Sequence, residues 1–369
     1  MSDVVIIGSG ISGMLVAREL CAENISVTVV ERAAATGQES SWAGGGIISP
    51  LYPWRYDAAV TRLAQWSQHE YQALSESLFA ATGIDPEWTQ NGLLIMTDEL
   101  EQAVSWARQF GETLQVVDAQ AIREIEPAFS YPGGSAVWMP EVAQVRNPRM
   151  LKALKAFLER QQVKFVTAAE AQGFLVSKGR IQGIKTSQGE LFADRVVVAS
   201  GAWSQQLLAT VDQNVPRIEP VQGQMLLFKA IPDLVRRIVL SGQRYVIPRR
   251  DGRVLVGSTL ERVGFRKQAT EVARAELYAT ALKLIPALAN WPVEHHWAGL
   301  RPGSPQGIPY IYEHPEITGL YVNCGHYRNG VVLGPAAARL LVDQLLARPP
   351  ILPVAPYSLI SRAADSEID

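Results

Sequence analysis

Apolar residues fall into two recurrent patterns along this chain. The first is the short, continuous, β-branched run, seen at residues 3–7, residues 25–30 and residues 196–199. Such runs predict strands buried on both faces of a parallel sheet. The second is recurrence at three and four residues. It appears through Met14, Ala17, Leu20 and Cys21, and again through Val60, Leu63, Ser67, Tyr71, Leu74 and Leu78. That spacing predicts amphipathic helices. Shorter helices are expected over Leu100–Phe110, residues 118–126 and residues 147–161, the last opened by Asn147 as cap and Pro148 in the first turn. Strands are expected at residues 163–166 and through residues 174–193, with turns at Lys178-Gly179 and Gln188-Gly189.

Beyond Gln222 the pattern becomes one of antiparallel strands. Residues 225–228, 238–240, 245–248 and 254–258 fit, the last two joined by an Asp251-Gly252 hairpin turn. A helix over residues 270–284 stops before Pro286. A strand at Leu320–Cys324 then leads into a glycine loop and a helix over residues 335–346. The whole predicts an α/β protein with an α+β second part. The tail after Ser361 reads as disordered.

The opening order is strand, glycine turn, helix, strand, acid. Gly8-Ser9-Gly10-Ile11-Ser12-Gly13 follows the first strand directly, and the run ending at Val30 is followed by Glu31. Gly8 permits the tight turn, Gly10 lets backbone approach a pyrophosphate, and Gly13 lets the helix pack close to the strand. The free N–H groups at the start of that helix attract phosphate. Glu31 suits a ribose hydroxyl and would repel a 2′-phosphate, which points to FAD or NAD rather than NADP.

Composition narrows the partners. The chain has 369 residues, 47% hydrophobic and 19% charged, with a formal charge of −2. That is ample for a core and gives no electrostatic reason to expect nucleic acid or an anionic membrane. Cys21 and Cys324 lie far apart and form no CxxC pair, and Met1-Ser2-Asp3 runs straight into the first strand with no leader pattern. A cytoplasmic location is therefore expected. Glu294-His295-His296 invites a metal, but neighbours on a strand face opposite ways, so no metal site is expected.

Two further glycine loops extend the cofactor reading. Ser40 and Ser41 precede Gly44, Gly45, Gly46 and Ile47, a hydroxyl pair followed by open backbone. Near the other end, Gly325-His326-Tyr327-Arg328-Asn329-Gly330 joins a strand to a helix. No second GxGxxG occurs to hold NADH, so electrons are expected to come from the substrate.

Four motifs together resemble the D-amino-acid oxidase and glycine oxidase family of FAD-dependent oxidoreductases, and most closely its thiamine-biosynthesis branch. They are Val5 to Gly13, Val196 to Ser204, Trp297-Ala298-Gly299-Leu300-Arg301-Pro302-Gly303 and Gly325 to Gly330, in family order across nearly the whole chain. The resemblance implies a Rossmann-type FAD-binding domain at residues 1–80, 145–215 and 297–369. An antiparallel-sheet substrate domain would be interleaved at 81–144 and 216–296. It implies that Arg301 grips a substrate carboxylate, joined by Tyr245 and Arg328. Cofactor contacts are expected at Gly8, Gly10, Ile11, Ser12, Gly13, Glu31, Arg32, Ser40, Ser41, Gly45, Gly46 and Ile47. They continue at Ser200, Gly201, Trp203, Gly325, His326, Tyr327, Arg328, Asn329, Gly330, Val331 and Val332. Sarcosine oxidases hold flavin through a cysteine just after the equivalent of Arg301, where this chain has none, so noncovalent FAD is expected.

The activity implied is oxidation of glycine, sarcosine or small D-amino acids by hydride transfer to the flavin, without an essential acid–base side chain. Oxygen takes the electrons, and a homotetramer is the implied assembly. A D-amino-acid or proline-type dehydrogenase feeding quinone or a partner subunit is the alternative; no apolar or basic block supports it. Leu260 is expected over the flavin. Trp54 and Tyr56 are candidates for shaping the side-chain pocket, and Gln243 has no assigned role.

Overall fold

The β-branched runs meet at the centre of a six-stranded sheet. Its order is Tyr310–Glu313, Leu320–Cys324, Arg195–Val198, Val4–Ile7, Val27–Val30 and Lys164–Val166. All neighbours are parallel except Tyr310–Glu313, which runs antiparallel at the edge. The computed structural model describes residues 2–131 and 133–359; the tail expected to be disordered lies outside them.

Alternate residues of the central strands enter different cores. Val4, Ile6, Val27, Val29 and Val197 pack under the helices Ile11–Ala22 and Gly330–Leu345, with Ala58–Thr82 and Asn147–Arg160 in the same cluster. Val5, Ile7, Val30, Val196 and Val198 face the other way. There they meet an antiparallel meander of Ala171–Ser177, Arg180–Thr186 and Gly189–Phe192. Both faces being dry, the runs needed no polar alternation.

A second sheet has eight strands: Val293–Gly303, Glu219–Lys229, Arg253–Gly257, Arg244–Pro248, Ile238–Ser241, Leu93–Met96, Ala136–Met139 and Gln115–Val117. It is not purely antiparallel as expected, because Ile238–Ser241 runs parallel to Leu93–Met96. Three of its strands come from residues 93–139, where the sequence showed only helices. These strands are short, and Leu93–Met96 is buried on nearly every position, so no period of two marks it. Glu219–Lys229 and Val293–Gly303 are eleven residues long each and pair at ten positions, far beyond the four residues expected to end at Phe228. Pro220, Gly223, Gly299 and Pro302 interrupt their sequence pattern without breaking the ladder.

The last helix also departs from expectation, starting at Gly330 rather than Pro335. Pro335 has no N–H for the Val331 carbonyl one turn back. The Tyr71 hydroxyl donates to that carbonyl instead (2.5 Å), and the next amide, Ala336 N–H, donates to Ser67 Oγ (2.9 Å). The helix at Ala58–Thr82 thereby replaces the bonds that proline removes.

Candidate active site

The chain turns from Val4–Ile7 into Ile11–Ala22 within three residues. At Gly8 φ is +108°, and an added Cβ would lie 2.4 Å from the Ala199 carbonyl oxygen. At Gly13 it would lie 2.0 Å from the Gly8 oxygen. Only glycine closes this turn between two parallel strands. The helix N-terminus then faces a cavity of about 340 Å³. Ile11 N–H donates to Ser41 Oγ (2.9 Å), which brings the Ser40–Ala43 turn against that positive end.

Glu31 follows the second strand. Its Oε2 accepts from the Ser9 N–H (3.1 Å) and hydroxyl (2.5 Å), and its Oε1 from Ala33 N–H (2.9 Å), so it ties the glycine turn to the cavity wall. The Arg32 guanidinium carbon sits over the Trp203 ring, 3.4 Å from its centroid, and Arg32 donates to Glu39 (2.9 Å).

Most residues expected at the cofactor line this one cavity: Gly8, Gly10, Ile11, Ser12, Glu31, Arg32, Ser40, Ser41, Gly45, Gly46 and Ile47 from the first fifty positions, then Ser200, Gly201, Trp203, His326, Tyr327, Arg328, Asn329, Gly330 and Val331. Three do not reach its wall. Gly13 is spent on the packing just described, Gly325 sits against Ile218, Ser304 and Tyr310, and Val332 joins the core between the helices. Buried polar atoms on the wall lack partners among the described residues, including both amide atoms of Asn323 and Nε2 of His326. Burial pushes the His326 imidazole down to about 4, so it is neutral near pH 7. Groups this buried require a polar ligand edge to complete their hydrogen bonds.

A smaller compartment of about 80 Å³ adjoins the first and shares Gly45, Tyr245, Arg301 and Arg328 with it. Arg301 lies near the end of Val293–Gly303 and crosses Gly223 on the neighbouring strand. A Cβ at Gly223 would be 2.1 Å from Arg301 Nη2. The guanidinium donates to Ser258 Oγ (2.6 Å) and the Thr259 carbonyl (3.3 Å). No carboxylate among the described residues pairs with it, and its pKa is lowered by burial, with Arg328 adding to the effect and Tyr245 opposing it. Tyr245 donates its hydroxyl to Met225 Sδ (3.3 Å) in the same compartment. Arg328 is exposed at its rim.

Leu260 and Gln243 are on this wall as well. Trp54 and Tyr56 are on neither wall; Trp54 Nε1 donates to Glu99 (2.6 Å) and packs edge-on against Tyr52. Sequence reasoning missed Gly223, Met225, Ser258 and Asn323. Glycine inside a strand was the one available signal, since it marks close approach of another group. His295 and His296 alternate on their strand opposite Leu227 and Leu226, and no group of three potential metal ligands occurs among the described residues.

A family model described as FAD dependent oxidoreductase, DAO, matches residues 3–344. The chain belongs to this family. A glycine oxidase of Pseudomonas putida is 49% identical over 359 residues, covering 96% of this chain and 98% of that protein. The bifunctional protein ThiO/ThiG of Synechocystis is 31% identical over 94% of this chain and 52% of its own length. Among solved structures, glycine oxidase from Geobacillus kaustophilus superposes with a TM-score of 0.92 at 28% identity, covering 97% of this chain and 98% of that one.

FAD is the cofactor of this flavoenzyme, and the residues present fit it. The glycine turn and helix N-terminus suit a pyrophosphate, Glu31 a ribose, and the unpartnered Asn323 and His326 the polar edge of a ring system. When bound, FAD supplies the acceptor for substrate electrons.

Proposed function

We propose that the flavoenzyme oxidises glycine, with sarcosine and small D-amino acids as further substrates, and passes the electrons to oxygen. Substrate loses two electrons and two protons to become an imine; oxygen gains them as hydrogen peroxide. Water then converts the glycine imine to glyoxylate and ammonia, and the unhydrolysed imine supplies the thiazole half of thiamine. The observation that carries this reading is Arg301: a guanidinium with no carboxylate partner among the described residues, on the wall of the smaller compartment.

Its planar fork binds a substrate carboxylate through two parallel charge-assisted bonds. Ser258 and Thr259 hold it from behind. Tyr245 turns its hydroxyl from Met225 to the same carboxylate, and Arg328 closes the rim. At 80 Å³ the compartment has room for roughly five to eight water-sized groups, which admits glycine and little more. No acid or base side chain on its wall is required, because an amine that binds neutral assists departure of the Cα hydrogen as hydride.

The name of the P. putida relative supports glycine as the substrate. We divide the chain into a cofactor domain at 1–80, 145–215 and 297–369 and a substrate domain at 81–144 and 216–296. The working form is a cytoplasmic homotetramer. Anaerobic addition of glycine to the purified holoenzyme is expected to bleach the flavin absorbance. Air should restore it with peroxide release. A flavin that stays oxidised with glycine, sarcosine and D-alanine overturns the proposal.

A further inference from the structure

A second cavity of about 340 Å³ shares no wall residue with the active site. Four arginines line it, Arg236, Arg237, Arg249 and Arg250, against two carboxylates, Glu87 and Asp233. Glu87 is already engaged by Arg146 and Arg149, and Arg250 by Asp85. Among the described residues, the side chains of the other three arginines have neutral partners or none. Arg237 makes long bonds to the Ile125 and Asn91 carbonyls (3.4 Å each), and Arg236 is exposed. Arg249 is half-buried and, among the described residues, hydrogen-bonds to the Gln144 side chain (2.5 Å) and the carbonyls of Val145 (3.0 Å) and Gly45 (2.8 Å), all of them neutral. Burial lowers its pKa to about 10, with Arg146 adding to the effect against the weaker pull of Glu87 and Asp251.

We propose that this cavity binds a small, multiply charged phosphate-type anion and that Arg249 carries its occupation to the substrate compartment. Guanidiniums left without carboxylates around a cavity are the arrangement that phosphate oxygens satisfy best, through forked bonds. One positive charge in excess would suit a monocarboxylate; three guanidiniums facing the single unengaged acid Asp233 suit a polyanion. The link is short. Gly45, whose carbonyl Arg249 holds, lines both active-site compartments. Arg249 also directly follows the strand Arg244–Pro248, which carries Tyr245. Charge-assisted bonds to phosphate outcompete those to neutral carbonyls, so an anion draws Arg249 off Gly45 and loosens that wall.

The binding half stands on this cavity alone; the coupling half rests on the glycine-oxidising reading. The test uses inorganic pyrophosphate with the FAD-loaded enzyme. Calorimetry is expected to show saturable binding that weakens at least roughly tenfold in Arg236→Ala/Arg237→Ala. The KM for glycine is expected to rise about fivefold or more in wild type on saturation, and not in that variant. Arg236→Glu, at an exposed position, serves as a second variant with the same expectation. Absence of binding overturns the proposal, as does binding undiminished in both variants, which would place the anion elsewhere. Binding that leaves the glycine KM unchanged overturns the coupling. If glycine is no substrate at all, the calorimetric result still decides the cavity.

Discussion

The cofactor end and the substrate end of this site are built from different material. Around the cofactor the wall is largely backbone: the Gly8 turn, the N–H groups of Ile11–Ala22, and the glycines from 44 to 46. Around the substrate it is side chains, with Arg301, Tyr245 and Met225 contributed by three strands of the eight-stranded sheet. A backbone surface is fixed by steric demand at each glycine, whereas a side-chain surface depends on register between strands far apart in sequence. The two ends should therefore fail differently when altered.

The largest expected effect is at the substrate end. Arg301→Ala removes the carboxylate grip, costing about 3–5 kcal/mol, or roughly a hundredfold to several thousandfold in glycine kcat/KM. FAD content should be unchanged; loss of flavin from the variant would erase the distinction between the ends. At the cofactor end the corresponding lever is His326. Its imidazole titrates near 4 when folded, against 6.5 for an exposed histidine. The neutral, folded form is thus fully favoured above pH 6.5. Stability is lost as pH falls from 6.5 towards 4, by up to about 3 kcal/mol. Denaturant unfolding against pH should show this slope in the apoprotein and a flatter one in His326→Asn.

Gly223→Ala sharpens the contrast further, because it tests a glycine that serves a side chain. Its new Cβ would sit 2.1 Å from Arg301 Nη2 and must displace the guanidinium. Misplacement by about an ångström costs roughly a hundredfold in kcat/KM, again with flavin retained. Tyr245→Phe is the mildest. Loss of one hydroxyl contact should cost about 0.5–1.5 kcal/mol, read as a higher KM for glycine.

The same division decides what was legible beforehand. The parallel sheet and the Gly8 to Gly13 turn could be read because strand, turn and helix are consecutive and each glycine has a local steric reason. Glu31 was readable for the same reason, and the structure adds that its carboxylate holds Ser9. Arg301 stood out only through the motif around it. Gly223 carried only the signal of a glycine inside a strand and Ser258 none, since their meaning arises from the pairing of Glu219–Lys229 with Val293–Gly303 and from the continuation of the chain past Gly257 alongside Glu219–Lys229, where Thr259 N–H donates to the Gln224 carbonyl. The strand Leu93–Met96 went unread because burial on both sides of a short run leaves no alternation. Helix Gly330–Leu345 was started too late because the compensation for Pro335 comes from Tyr71 and Ser67, bonds that span 260 and 269 residues of sequence.

The central claim is that Arg301 is held ready for a carboxylate by neutral neighbours. The direct measurement is titration of acetate, which has a carboxylate but no amine, into the oxidised holoenzyme and into Arg301→Ala, followed by flavin absorbance. Saturable perturbation in wild type, with Kd raised at least roughly tenfold in the variant, is the predicted result. Equal acetate affinity in the two proteins would contradict it.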